Sequence, residues 1–160
     1  MTEVRTTAEA YEAAALPDAH SVHADPNAPI TAELKPLPPS LSQGAHASKS
    51  PAQWAYERLV LYIQNFEEQL DGEHEVAMGI AGGNVGVMRI QGIGFFAPDI
   101  VTFYGEDMQG VRSQLVQHVN QLNVMLQAVP RPSPEIAPNR IGFRLVEALE
   151  NRKLAKPQKD

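Results

Sequence analysis

The chain has 160 residues, a formal net charge of -6 at pH 7 and no cysteine. The length suits a single domain, the acidic charge disfavours nucleic acid and anionic membrane as main partners, and the lack of cysteine excludes disulfides, thiol nucleophiles and cysteine zinc sites. Because no apolar stretch resembles a membrane span or a signal peptide, we expect a cytoplasmic protein.

Residues 1–49 are rich in Ala, Pro, Ser and Thr, and six prolines interrupt every candidate periodic segment. Such a segment buries too little apolar surface to offset the entropy of its chain. We therefore predict a disordered tail over 1–49 and, from four basic residues among the last ten, a basic tail over 151–160. His20 and His23 have a spacing found in metal sites, but solvated histidines are the favoured interpretation in a proline-rich tail.

The folded part begins at the sequence SPAQ, residues 50–53. Ser50 suits a helix N-cap, Pro51 suits the first helical position, and Gln53 can reach back to the cap. Apolar residues then recur every three or four positions, which predicts a helix over 51–70 with one buried stripe. The stripe comprises Ala55, Leu59, Tyr62, Ile63, Phe66 and Leu70.

The glycine-rich stretch GIAGGNVG, residues 79–86, is followed by β-branched and aromatic residues that disfavour a helix. A phosphate-binding loop needs a helix at that point, because the helix N-terminus holds the anion. Gly83 and Asn84 both tolerate positive φ, so they predict a hairpin turn between strands over 74–81 and 85–95.

The second of these strands leads to a third. Gly92 and Gly94 within the second strand predict a bulge or a close approach by another group. Pro98 and Asp99 form a turn, and IVTFYG then gives a third strand that ends at Gly105. Three such strands with one apolar face need a cover of helices.

The stretch VRSQLVQHVNQLNVMLQAV, residues 111–129, has apolar residues spaced by four and three, which predicts a second helix. No charged residue lies between Arg112 and Arg131, and charge depletion is typical of an interface core. We therefore predict a homodimer formed through this helix. The predicted interface residues are Gln114, Gln117, His118, Gln121 and Met125.

After a proline-rich loop, RIGFRLV at 140–146 predicts a fourth strand with Ile141, Phe143 and Leu145 on one face. The elements together predict an α+β domain over residues 50–150. Its architecture is a two-layer sandwich of order α-β-β-β-α-β with a small, mainly antiparallel sheet.

Five segments, WAYERL, FEEQLDGEHE, GFFAPD, QLVQHVNQLNVML and RIGFRL, together resemble an uncharacterised bacterial family known as a domain of unknown function. The resemblance covers roughly residues 50–150 and excludes the N-terminal tail. It implies no activity, cofactor or catalytic residue.

No spacing typical of a catalytic triad, a zinc protease or a nucleotide-binding loop occurs in the chain. In Glu73-His74-Glu75, a strand would place the two glutamates on one face and the histidine on the other, which disfavours a shared metal ion. The leading interpretation is therefore a non-catalytic protein-binding or assembly module that needs no cofactor or metal.

The alternative is a small-molecule-binding domain or an enzyme that uses the sheet face near Gly92 and Gly94 together with His118. Histidine is the side chain best suited to proton transfer near neutral pH. A pocket that gathers His118, Asp99 and Arg89 would favour this alternative.

Overall fold

The computed structural model describes residues 19–36, 49–80 and 86–154. The chain divides into two units, Met1–Lys49 and Ser50–Asp160. In the first unit the described residues form a 3-10 turn, Ala32–Leu34, and irregular loops. The rest of the predicted N-terminal tail, and residues 155–160 of the predicted basic tail, lie outside the described residues.

Helix α1 spans Pro51–Glu68 and begins as the sequence predicts. The Ser50 hydroxyl oxygen accepts a hydrogen bond from the Gln53 backbone N–H at 3.2 Å. The predicted buried stripe is wrong except for Ile63, because apolar residues occur all around this helix and more than one face satisfies the spacing. The buried positions are Ala52, Tyr56, Glu57, Val60, Ile63 and Glu67.

Within the described residues, five antiparallel strands form one sheet in the order β4-β3-β2-β1-β5. Their bounds are β1 His74–Ile80, β2 Val87–Phe96, β3 Ile100–Asp107, β4 Arg112–His118 and β5 Val124–Pro130. The first three strands confirm the prediction, and a register shift between Ile90 and Gly92 confirms the bulge. β1 and β2 pair antiparallel, as a hairpin requires, but the turn at 81–85 lies outside the described residues.

The two faces of the sheet differ in what covers them. Residues that pair directly across antiparallel strands share a face, and Phe95 pairs with Val101. The ring centroids of Tyr56 and Phe95 lie 5.1 Å apart, so α1 packs on this face, which we term the helix face. The opposite face is the outer face. The helix face carries the largest buried side chains of the sheet: Val76, Met78, Ile90, Val101 and Phe103.

The predicted second helix over 111–129 is wrong. The chain there forms β4, a 3-10 turn at Val119–Gln121, and β5. β4 pairs with β3 over seven residue pairs, and β5 pairs with β1 over seven. The two ladders satisfy backbone hydrogen-bonding groups of β4 and β5, which flank the first three strands as the edge strands of the sheet. Long-range strand pairing therefore overrides the helical spacing of the apolar residues.

The connection from β4 to β5 is short for the distance that it covers. His118 lies beside the start of β3, Val124 lies beside the end of β1, and the two strands are at opposite edges. Across a flat sheet these positions would be separated by about 19 Å between edges and about 30 Å along the strands. Six residues reach at most about 22 Å when fully extended, and three of them form a 3-10 turn. The sheet is therefore strongly coiled, which brings the end of β4 close to the start of β5.

Helix α2 spans Ile141–Leu154, where the sequence predicted a fourth strand. That prediction is wrong, because the buried residues Ile141, Leu145 and Leu149 recur every four positions. Phe143, which a strand would have buried with them, is 69% exposed. α2 packs against α1 and β2.

The carboxylate of Glu67 on α1 caps the N-terminus of α2. Its Oε2 accepts a hydrogen bond from the Gly142 N–H at 2.8 Å. Burial raises the pKa of Glu67 to about 7, and this effect exceeds the lowering by the backbone N–H groups of α2 and by the charge of Arg140. Its other oxygen, Oε1, is buried without a hydrogen-bond partner among the described residues. The folded structure therefore stabilises the ionised carboxylate of Glu67 less well than water does.

We expect the ionisation of Glu67 to lower the stability of the fold as pH rises. A carboxyl whose pKa is raised from 4.5 to about 7 on folding binds more protons in the folded state between these values. The free energy of unfolding therefore falls across this window, and the contribution is lost above about pH 7. Glu67→Gln keeps an acceptor for the Gly142 N–H and should be about 1–2 kcal/mol more stable than the wild type above that pH.

Urea unfolding between about pH 5 and about pH 9 measures this difference. Glu68→Gln is the control, since Glu68 is the exposed neighbour on the same helix. A difference between the wild type and Glu67→Gln that stays constant with pH would contradict the expected titration.

The α+β class and the two-layer arrangement with an antiparallel sheet are confirmed. The order of elements is α-β-β-β-β-β-α instead of α-β-β-β-α-β. Among the described residues no helix combines the length and apolar character needed to cross a membrane.

Candidate functional site

Toward the start of β3, the outer face of β2, β3 and β4 presents apolar and uncharged polar side chains, and the charged residues Arg89, Glu106 and Arg112 lie at its other end. The register places Phe96 beside Ile100, and Ile100 beside His118. Large apolar side chains are well exposed here: 76% for Phe96, 59% for Val116 and 43% for Tyr104. Exposed apolar patches of this kind mark interaction sites. We term this surface the outer patch, and it comprises Phe96, Ile100, Thr102, Tyr104, Gln114, Val116 and His118.

The glycines of β2 lie beside Thr102 and Tyr104 of the outer patch. A Cβ at Gly94 would lie 2.7 Å from Thr102 Oγ1 and 3.7 Å from Tyr104 Cε2. A Cβ at Gly92 would lie 3.5 Å from Cδ2 of the same ring. A side chain at 94 would therefore clash with the Thr102 hydroxyl, which is the close approach that Gly94 predicts, whereas the Tyr104 ring lies at ordinary contact distance from both positions.

His118 and Asp99, two residues of the predicted alternative site, are in contact. His118 Nε2 lies 3.2 Å from Asp99 Oδ2, and His118 Nδ1 accepts a hydrogen bond from the Asn120 N–H at 3.0 Å. An accepting Nδ1 requires the tautomer with its proton on Nε2, which then donates to Asp99. The Val119 N–H also donates to the Asp99 carbonyl oxygen at 2.7 Å. Nε2 thus joins the end of β4 to the β2–β3 turn, and Nδ1 caps the 3-10 turn of the β4–β5 connection, so both ring nitrogens are engaged, which favours a structural role over that of a general base.

Arg89 lies away from this pair. Its Nη1 donates to Glu75 Oε2 at 3.1 Å, and its Nη2 donates to the Pro130 carbonyl oxygen at 2.9 Å. In the sheet register Arg89 is level with Glu106, at the other end of β3 from Asp99. His118, Asp99 and Arg89 therefore do not form one site.

The five residues predicted at an interface do not share one element. Gln114, Gln117 and His118 lie on β4, Gln121 lies in the 3-10 turn, and Met125 lies on β5 at the other edge of the sheet. Gln117 is on the helix face, where its Oε1 is buried without a hydrogen-bond partner among the described residues. Gln121 Oε1 accepts the His118 backbone N–H at 3.0 Å and so closes the 3-10 turn. Contact of these residues with a partner stays a prediction.

The side chains of the segment from Glu73 to Glu75 contact separate partners. Glu73 Oε1 lies 3.1 Å from Arg131 Nη2, and His74 Nδ1 lies 2.7 Å from Asp71 Oδ1. Within the part of the chain that the structure describes, no group of three or more His, Asp or Glu side chains is placed to hold a metal ion.

Comparison with known proteins gives one family assignment. No curated protein and no solved structure is significantly similar to the chain. The family model that matches is described as a family of unknown function (DUF6173) and covers residues 48–144, more than half of the chain. The match contains α1, the five strands and the start of α2, and thus the whole outer patch. The chain therefore belongs to the DUF6173 family.

Proposed function

We propose that the chain is a non-catalytic assembly module that binds a second copy of itself through strand β4. The observation that carries the proposal is the outer edge of β4 beside the outer patch, with which no strand of the described residues pairs. Half of the N–H and C=O groups of an edge strand point away from its sheet and can pair with another strand. Natural edge strands are usually protected by Lys, Pro or inward charges, but β4 has no such residue from Ser113 to Gln117.

The sequence of β4 is nearly complementary to itself about Leu115. In an antiparallel pair of two copies centred on Leu115, Arg112 lies opposite His118 of the partner subunit. Each His118 holds an Asp99 carboxylate at 3.2 Å, so each Arg112 faces an acidic group across the interface as well as Glu106 of its own chain. Such charge complementarity fixes register and orientation. The contact is isologous, which is the commonest way to form a dimer.

The side chain of Gln117 supports the same register. Its buried Oε1 lacks a partner among the described residues, and buried polar atoms in proteins usually have one. In a pair centred on Leu115, Gln117 lies opposite Ser113 of the partner subunit. The Ser113 hydroxyl, which donates to the Val111 carbonyl oxygen at 3.1 Å, can rotate to donate to this amide oxygen.

The wild-type chain is expected to sediment as a dimer at micromolar concentration, and Val116→Lys as a folded monomer. Val116 is 59% exposed on β4, so a lysine fits the single chain but opposes pairing at the edge. Met125→Lys is the matched control, because Met125 is 45% exposed on the outer face of the other edge strand, and this variant should remain a dimer.

A wild type that stays monomeric at about 100 times that concentration would exclude the proposal. A Val116→Lys variant that remains dimeric would exclude β4 as the interface. Loss of the dimer in Met125→Lys alone would assign the contact to β5.

A further inference from the structure

A cavity of about 340 Å³ opens at the end of the sheet far from the start of α1, and most of the strand residues that line it belong to the helix face. It lies where β1 and β3 end and where β2 and β4 begin. The start of α1 binds the other end, where the Ala52 N–H donates to the Pro98 carbonyl oxygen at 3.0 Å. The volume is near the lower end of the usual range for ligand pockets, about 300–1,000 Å³. We term it the Met pocket, and its lining includes Met78, Met88, Met108, Leu115, Asp107 and Ser113.

A residue without a side chain lies in the sheet beside the Met pocket. Gly105 pairs with Ser113 on the helix face. A Cβ at Gly105 would overlap the Arg89 carbonyl oxygen and lie 2.7 Å from Met88 Cγ. A larger residue is therefore excluded at 105, so the helix face carries no side chain beside Ser113 at this level.

The lining combines soft apolar groups with one carboxylate. Methionine side chains are flexible and polarizable, and their sulfur atoms pack favourably against aromatic rings. The Oδ1 atom of Asp107 accepts the N–H groups of Gln109 and Val111, both at 2.9 Å. Within the described residues no ion pair neutralises this carboxylate, and the described lining contains no Lys or Arg. The site therefore favours a cation over an anion.

We propose that the Met pocket binds a small aromatic amine, with its ring against the methionines and its ammonium group at Asp107. The volume accommodates one ring and a short chain. The inference does not rest on assembly through β4, because it is argued from the lining of the cavity and is read from methyl signals instead of sedimentation, although Ser113, Gln114 and Leu115 of β4 belong to both features.

The methionine methyl groups test this proposal directly. The chain has five methionines, and ¹³C-labelled methyl signals can be assigned by single Met→Leu substitutions. On titration with 4-phenylbutylamine, the signals of Met78, Met88 and Met108 should shift and saturate. Met125 is the internal control, because its Cε lies under Gly79 on the outer face, 3.4 Å from a Cβ built there.

Charge preference is tested with 4-phenylbutyrate, which should bind about tenfold more weakly than the amine. Asp107→Asn keeps the Oδ1 acceptor for the turn and should remove most of this preference while the same methyl signals still shift. Absence of saturable shifts at the three pocket methionines, or an equal shift at Met125, would overturn the proposed site. Equal affinity of the wild type for the amine and the carboxylate would overturn the assigned ligand class.

Discussion

Arg89→Met is expected to lower the free energy of unfolding by about 3 kcal/mol or more, because it breaks a buried ion pair and leaves one charge behind. Arg89 Nη1 lies 3.1 Å from Glu75 Oε2, and the Glu75 side chain is only 8% exposed. After the substitution, the carboxylate would keep the Asn139 backbone N–H at 2.9 Å as a donor but no cation. The Pro130 carbonyl oxygen would also lose its bond from Arg89. Urea unfolding at neutral pH measures the loss.

A second arginine provides the control for burial. Arg131 and Glu73 are also 3.1 Å apart, but the Glu73 side chain is 69% exposed. Arg131→Met should therefore cost no more than about 1 kcal/mol. The double variant Arg89→Met/Glu75→Gln should recover much of the lost stability, since it removes both charges. Equal losses for Arg89→Met and Arg131→Met would show that burial of the carboxylate does not decide the effect.

Gly142→Ala is expected to destabilise the fold by about 2 kcal/mol, although alanine favours a helix over glycine by about 1 kcal/mol. The reason is the close approach of α2 to α1. A Cβ at this position would lie 2.6 Å from Glu67 Oε2 and 2.8 Å from Gln64 Cα. Because the second contact is with backbone, the helices must separate, and the cap that Glu67 provides for α2 is weakened. Because helix propensity and steric overlap change the stability in opposite directions, the sign of the measured change shows which effect is larger.

Gly72→Ala is the matched control for Gly142→Ala. A Cβ at Gly72 would have no heavy atom within 4 Å, so the change should alter stability by no more than about 0.5 kcal/mol. A Gly142→Ala variant that unfolds at the same urea concentration as the wild type, or a higher one, would contradict the contact between the helices.

The first half of the domain could be predicted because its signals are local. Ser50 caps α1 through atoms three residues apart, and Pro98 and Asp99 turn the chain by their own chemistry. The glycines of β2 also gave the correct signal, a bulge and a close approach. The buried face of α1 was missed because it depends on where the sheet lies, which no local spacing encodes.

The predictions for the second half of the domain are wrong because long-range strand pairing decides its structure. Leu115 and Val116 are adjacent on β4, one on the helix face and one on the outer face, so the strand lacks the usual alternation of apolar and polar residues. The exposed Val116 therefore obscures the strand in the sequence pattern. The same residue belongs to the outer patch. The stretch without charged residues between Arg112 and Arg131 belongs to two edge strands and not to one helix.

The candidate site was predictable only in part. His118 and Asp99 are 19 positions apart, and their contact depends on the register of β3 with β4, which places His118 beside Ile100. Arg89 could not be excluded from the sequence, because its partner Glu75 is placed by the pairing of β1 with β2. The Met pocket depends on four strands ending or beginning at one level, which no single segment reveals.

The pairing of β1 with β5 has a consequence for synthesis of the chain. β5 begins at Val124, 44 residues after β1 ends at Ile80. At a translation rate of about 5–20 residues per second, one edge of β1 therefore waits roughly 2–9 s for its partner, whereas a hairpin forms in microseconds. During that interval the apolar strand HEVAMGI is open to pairing with other chains. The rate of translation, and not the folding rate of the first strands, thus sets how long this edge is exposed. Slower translation of residues 81–123 should therefore increase aggregation of the newly made protein.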